Sequence, residues 1–169
     1  MGGSGGGYSG GISEAERLKG IAQRKIEEAK RKGSIGIFIP HSWKYDDEYT
    51  RLVNLLEGDD SFSFRDYSVP KDAPIDAESD KKLMEEITNQ IRAASVILIP
   101  AGMYAAHSAW IQTEISIAKE MNKPIVAVYP WGSQKMPQVV GDNADEIVGW
   151  NKDSIIQAID KVRSEHNAK

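Results

Sequence analysis

The chain has no cysteine, which excludes disulfide bonds, thiolate nucleophiles and thiolate metal sites. It also lacks long apolar runs: a stretch such as "ASVILIPAGM" is far below the roughly 20 residues that a membrane helix needs. The N-terminus lacks the charged and apolar pattern of a signal peptide. These absences predict a cytoplasmic protein that does not insert into membranes.

No excess of one charge sign is present either. The 21 Lys and Arg residues are interspersed with 25 Asp and Glu residues, and the net charge is −4. Because no basic face stands out, nucleic acid is not an expected partner. The 169 residues, 40% of them hydrophobic, fit one soluble domain with a sizeable core.

Several well-defined chemical motifs are missing. The sequence has no HExxH or comparable ligand cluster, no GxxxxGK[ST] loop and no GxSxG elbow. We therefore expect no metal and no resident cofactor. Gly5, Gly7 and Gly10 satisfy GxGxxG, but no strand precedes them, so residues 1–11 are predicted to be a flexible Gly/Ser-rich tail.

A single helix is predicted between this tail and the main domain. Ser13 is followed three residues later by Glu16, which is a capping-box signature. Apolar residues then recur at helical spacing until Gly33, a typical helix end. We predict an N-terminal helix over residues 12–33 and a domain over residues 34–165.

From residue 34 onward, short apolar stretches alternate with helical patterns. Five predicted strands lie in "SIGIFIP", "SFSFRDY", "SVILIP", "KPIVAVYP" and "DEIVGW". The helices between and after them are predicted at 46–56, 80–94, 108–122 and 152–165, and "WGSQKMPQVVGDN" is predicted to be a loop. This alternation indicates an α/β fold, a flavodoxin-like three-layer sandwich with a five-stranded parallel sheet in the order 2-1-3-4-5.

In such sheets, ligands bind beyond the carboxyl ends of the strands. The candidate residues at that edge are His41, Ser42, Trp43, Asp46, Asp66, Tyr67, Ser108, Trp110 and Glu114. Ordinary structural roles remain open, because Asp46 and Ser108 are also good helix N-caps.

The fourth residue after Trp110 is Glu114, so both project from one helical face. Glu114 also borders the apolar stripe of its helix. From spacing alone it is either a solvated helix charge or a partly desolvated catalytic carboxylate. Trp131 and Trp150 have the pattern of packing residues near the last strands.

Longer segments resemble a known family. They are "IFIPHSWKYDDEYTRLVNLL", "FSFRDYSVP", "IRAASVILIPAGMYAAHSAWIQTEISIAKEMNKPIVAVYPWG" and "ADEIVGWNKDSIIQAI". Over residues 34–163 the chain resembles the TIR-like proteins, and most closely the TIR-like component of the Thoeris antiphage system. The most specific element is the block Ser108-x-Trp110-x-x-x-Glu114.

The resemblance implies an enzyme that cleaves NAD as its substrate, as a hydrolase or a cyclase. Glu114 would be the catalytic residue, flanked by Ser108 and Trp110, and residues 41–43 would line the nicotinamide end of the pocket. The product would be a cyclic or modified ADP-ribose that signals to a separate effector in antiviral defence. Residues 67–78 would correspond to a loop that mediates self-association. Two alternatives stay open: a non-catalytic TIR-like adaptor, and an enzyme similar to nucleoside deoxyribosyltransferases.

Overall fold

The computed structural model describes residues 11–40, 47–69, 77–132 and 135–169, with the side chains at 27–32, 77–79 and 105–107 left out of the description. The chain divides into two compact units, Met1–Gly33 and Ser34–Lys169. The predicted flexible tail at 1–11 lies outside the described residues except for Gly11.

In its described part, residues 11–33, the first unit contains one helix, α1, over Glu14–Gly33. Its N-terminus has the predicted capping box: the Glu16 backbone N–H donates to Ser13 Oγ at 3.2 Å. The Ser13 backbone N–H in turn donates to Glu16 Oε2 at 3.0 Å. These two bonds satisfy N–H groups that the first helical turn leaves without an intrahelical acceptor, which fixes where the helix begins.

The second unit is built on one parallel sheet of five strands in the order 2-1-3-4-5, which confirms the predicted fold class. The strands are β1 (Ile35–Phe38), β2 (Phe64–Asp66), β3 (Val96–Pro100), β4 (Ile125–Val128) and β5 (Glu146–Val148). The apolar strands β3 and β4 are buried at every position. Helices cover both faces of the sheet, so these central strands have no polar face.

The helices of this unit are α2 (Asp47–Glu57), α3 (Ala77–Ala93), α4 (Tyr104–Glu120), α5 (Gln138–Asn143) and α6 (Lys152–Asn167). A 3₁₀ turn over Ala101–Met103 leads from β3 into α4. One core cluster joins the sheet to α3, α4 and α5, and a second joins its other face to α2 and α6. No helix in the described ranges is both long and apolar enough to cross a membrane.

Two details differ from the sequence-based expectation. Helix α4 begins at Tyr104 rather than at residue 108, so Ser108 lies inside the helix and is not its N-cap. The predicted loop after β4 contains the short helix α5, which follows Pro137 and buries Val140. This helix was not predicted from the sequence because it contains Gly141 and Asn143, which are both poor helix formers.

Candidate active site

Glu114 is completely buried, with 0% of its surface exposed. The alternative that it is a solvated helix charge is therefore wrong. Its neighbours along α4, Ile111 and Ile115, belong to the core cluster between the sheet and α3, α4 and α5. In the described part of the chain, Glu114 is the one buried residue that is polar or charged. Burying a carboxylate is costly, so an acid in this position is a candidate for function.

Trp110 lies one helical turn before Glu114 and packs, half-buried, against the same core cluster. It borders a groove of about 400 Å³ between α3 and α4, which is lined by Asp80, Lys81, Met84, Ala109, Trp110 and Thr113. Ser108 is also half-buried on α4. Ser108, Trp110 and Glu114 thus lie within two turns of one helix, and the spacing of four residues places Trp110 and Glu114 on the same face.

Asp66, at the end of β2, has both carboxylate oxygens engaged by protein groups. Its Oδ2 accepts a hydrogen bond from the Tyr49 hydroxyl, and its Oδ1 accepts from the Ser68 backbone N–H at 2.8 Å and from the Ser68 hydroxyl. Ser68 Oγ in turn accepts from the Ile39 backbone N–H at 3.1 Å. Asp66 therefore ties α2 and the turn after β2 to the end of β1. A role in substrate binding stays a prediction.

Tyr67 packs on the sheet. A Cβ atom placed on Gly36 would lie 2.6 Å from Tyr67 Cε2, so the ring lies directly over that glycine. The ring also joins the periphery of the core cluster that contains Ile87 and Ile91 of α3. This position gives Tyr67 a packing function, and its predicted contact with a substrate stays a prediction.

Glu48, in the first turn of α2, is a further candidate site residue that the sequence did not reveal. Its Oε1 accepts a hydrogen bond from the Trp131 backbone N–H at 2.9 Å, and its Oε2 is buried without a hydrogen-bond partner among the described residues. The carboxylate lies against Gly102, where an added Cβ would be only 2.6 Å from Oε2. The only signal in the sequence was an acid at the start of a helix, which is common for ordinary reasons.

Trp150 packs, partly buried, against the core cluster of α2 and α6, as the sequence predicts, whereas Trp131 is 52% exposed and packs only at the surface. Its ring meets Trp150 edge-on at 5.2 Å, and the Arg51 guanidinium lies 4.7 Å from its centroid. The Trp150 indole N–H donates to the Tyr129 carbonyl at 2.7 Å. Together with Asn54 and Leu55, these side chains line a groove of about 430 Å³. The Trp131 ring is thus held in one orientation with half its surface in solvent.

Some predicted site residues cannot be placed. His41, Ser42, Trp43 and Asp46 lie outside the described residues, as do residues 70–76 of the predicted self-association loop. Across the ranges that the structure does describe, no group of three or more His, Asp and Glu side chains is arranged to hold a metal ion.

Comparison with known proteins gives one family. A family model described as "Thoeris protein ThsB, TIR-like domain" matches residues 38–135, from the last residue of β1 to beyond β4, which include α2, α4 and all the candidate residues named above except Trp150. None of the curated proteins compared matches significantly.

Two solved structures match most of the chain at low similarity. A CMP N-glycosidase from Clostridium botulinum is 14% identical with a TM-score of 0.45, and the match covers 73% of this chain and 97% of that one. A 3-dehydroquinate dehydratase-like protein from Bifidobacterium longum is 11% identical with a TM-score of 0.42, covering 80% of this chain and 98% of that one.

Proposed function

We propose that this chain, which belongs to the TIR-like domain family of the Thoeris protein ThsB, is an enzyme that cleaves NAD between nicotinamide and ribose. The observation that carries the proposal is the complete burial of Glu114 on α4. A carboxylate in an apolar surrounding stabilises a nearby positive charge far more than one in water does. NAD cleavage is a reaction that develops such a charge on a sugar.

The chemistry needs one well-placed acid. The bond between ribose C1′ and the nicotinamide ring nitrogen breaks, and its electron pair leaves with nicotinamide, whose ring thereby becomes neutral. No general acid is required for this departure. Positive charge develops on C1′ and the ring oxygen of the ribose, as in glycoside cleavage. Glu114 would stabilise that charge and orient the sugar.

The second step decides the product. Water can add to C1′ and lose a proton to solvent, which gives ADP-ribose. Alternatively, a nitrogen of the adenine at the other end of the molecule can add to C1′, which gives a cyclic product. A half-buried aromatic wall such as Trp110 reduces the access of water and would favour the internal nucleophile. We propose that the cyclic or modified ADP-ribose then reaches a separate effector protein.

Substrate access is a further requirement of the proposal. Glu114 has no exposed surface in the structure, so the part of the chain that covers it must open before a ribose can contact the carboxylate. Opening and closing of this kind is common in enzymes that exclude water from a reactive intermediate. Self-association through residues 67–78 is one predicted way to shift the equilibrium between the closed and the open state.

The test is nicotinamide release from NAD, with the products resolved by mass spectrometry. Glu114→Gln keeps the side-chain shape and removes the charge, so we expect turnover to fall by about 10² or more. Glu120→Gln is the matched control, because Glu120 is exposed on the same helix. Circular dichroism and thermal melting establish that both variants are folded.

Three results would contradict the proposal. Turnover at the wild-type level in folded Glu114→Gln would remove Glu114 from the reaction. Absence of nicotinamide release by the wild type over a broad range of protein concentration would favour a non-catalytic adaptor. Exchange of bases on deoxynucleosides, without NAD cleavage, would favour the deoxyribosyltransferase-like alternative.

A further inference from the structure

Glu48 lies where three connections meet at the carboxyl edge of the sheet. It belongs to α2, which follows β1, and it touches Gly102 after β3 and the Trp131 backbone after β4. Strands β1 and β3 are neighbours, yet α2 and α4, which follow them, pack on opposite faces. This divergence is the switch point at which open α/β sheets form a ligand crevice.

The two oxygens of the Glu48 carboxylate have different surroundings. Oε1 accepts the Trp131 N–H at 2.9 Å, whereas Oε2 is buried with no hydrogen-bond partner among the described residues. A buried charged oxygen without a partner is unfavourable, and a hydrogen-bond donor on a bound ligand would satisfy it. Gly102 provides the space for this carboxylate, because any larger residue there would collide with it.

We infer that Glu48 is a substrate-binding residue whose Oε2 accepts a hydrogen bond from a ribose hydroxyl of the dinucleotide. The inference rests on the function proposed above. A carboxylate only accepts hydrogen bonds and repels other anions, so its partner on the dinucleotide is a hydrogen-bond donor and not the pyrophosphate. A ribose diol offers two adjacent O–H donors, and Glu48 offers Oε2 together with the remaining lone pair of Oε1.

If this assignment is right, the buried charge of Glu48 destabilises the free protein and stabilises the complex with the dinucleotide. In Glu48→Gln the side chain keeps its shape, and its oxygen can still accept the Trp131 N–H. The buried charge disappears, so thermal stability should be unchanged or higher. The charge-assisted bond to the ribose also disappears, so affinity should be lower. A purely structural residue would not change stability and affinity in opposite directions.

The experiment is calorimetric titration of ADP-ribose into the wild-type chain, Glu48→Gln and Glu57→Gln. Glu57 is exposed at the end of the same helix and serves as the matched control. We expect a dissociation constant about tenfold higher for Glu48→Gln, which is the difference between a charged and a neutral hydrogen bond, and no change for Glu57→Gln. Titration of ADP, which retains only the adenosine ribose, identifies which ribose contacts Glu48.

The outcomes separate this inference from the proposed function. One outcome is that the wild type binds ADP-ribose but releases no nicotinamide from NAD, while Glu48→Gln binds ADP-ribose more weakly. The proposed NAD cleavage is then contradicted, and the contact between Glu48 and the ribose is supported. If the wild type cleaves NAD but Glu48→Gln retains both its affinity for ADP-ribose and its KM for NAD, the Glu48 inference is overturned. No ADP-ribose binding by the wild type, or a melting temperature several degrees lower with unchanged affinity, overturns it as well.

Discussion

Gly36 of β1 is a position where a single methyl group should reveal how Tyr67 is used. In Gly36→Ala the new Cβ would lie 2.6 Å from Tyr67 Cε2, 3.1 Å from Tyr67 Cδ2 and 3.4 Å from Ala94 Cα. The first distance is far below van der Waals contact, so the ring must move. The strand cannot retreat easily, because the Gly36 carbonyl accepts the Ser95 N–H at 2.8 Å.

The expected change in the free energy of unfolding of Gly36→Ala results from two opposing effects. Overpacking of this kind typically destabilises by about 1–3 kcal/mol. Replacing glycine also reduces the entropy of the unfolded chain, which offsets roughly 0.4–1 kcal/mol. We therefore expect Gly36→Ala to lower the free energy of unfolding by about 1–2 kcal/mol. For a unit of this size each kcal/mol corresponds to roughly 4 °C in melting temperature, so a decrease of about 4–8 °C is expected.

A double-mutant cycle with Tyr67→Ala, followed by thermal and urea unfolding, assigns the effect to the ring. In the Tyr67→Ala background, Gly36→Ala should cost nothing or stabilise slightly. Gly149→Ala is the control, because an added Cβ there meets nothing within 4 Å. Wild-type stability of Gly36→Ala, or the same loss with and without the Tyr67 ring, would refute the packing assignment.

Two further predictions concern α6 and the turn after α2. Asn151 caps α6 by accepting the Ser154 N–H at 3.0 Å, so Asn151→Ala should lower the free energy of unfolding by about 1 kcal/mol, and an unchanged urea midpoint would contradict the cap. Hydrogen bonds from Ser61 lower the pKa of Asp59 below 3.8, and Lys152 adds to this effect. The stabilisation from Asp59 is therefore present above that pH and lost as pH falls through its lower folded pKa. The melting temperatures of wild type and Asp59→Asn should differ at neutral pH and converge in acid, and a gap that persists in acid would show that the Asp59 charge is not its cause.

The sheet was predictable because each central strand is a continuous apolar run that can be recognised from a few consecutive residues. The runs "VILI" and "IVAV" are apolar at every position, which is typical of strands covered on both faces, and both are fully buried. The boundaries of α4 were less predictable. Its first turn, from Tyr104, has no N-capping side chain that would mark the start in the sequence.

The burial of Glu114 could not be decided from the sequence, because helical spacing places it at the border of the apolar stripe. Whether a residue at such a position is buried or exposed depends on how α4 packs against the rest of the core. Glu48 was less visible still. Its contact with Trp131 joins residues 83 positions apart, and no local pattern encodes a contact of that separation.

The ends of the sheet limit how copies of this chain can associate. The outer strands β2 and β5 have three residues each, or about 10 Å of backbone. Both carry charge: Arg65 and Asp66 are exposed on β2, and Glu146 of β5 forms an ion pair with Lys161. Short, charged outer strands are poor templates for adding another strand. We therefore expect any association between copies of this chain to use helix and loop surfaces rather than to join their sheets edge to edge.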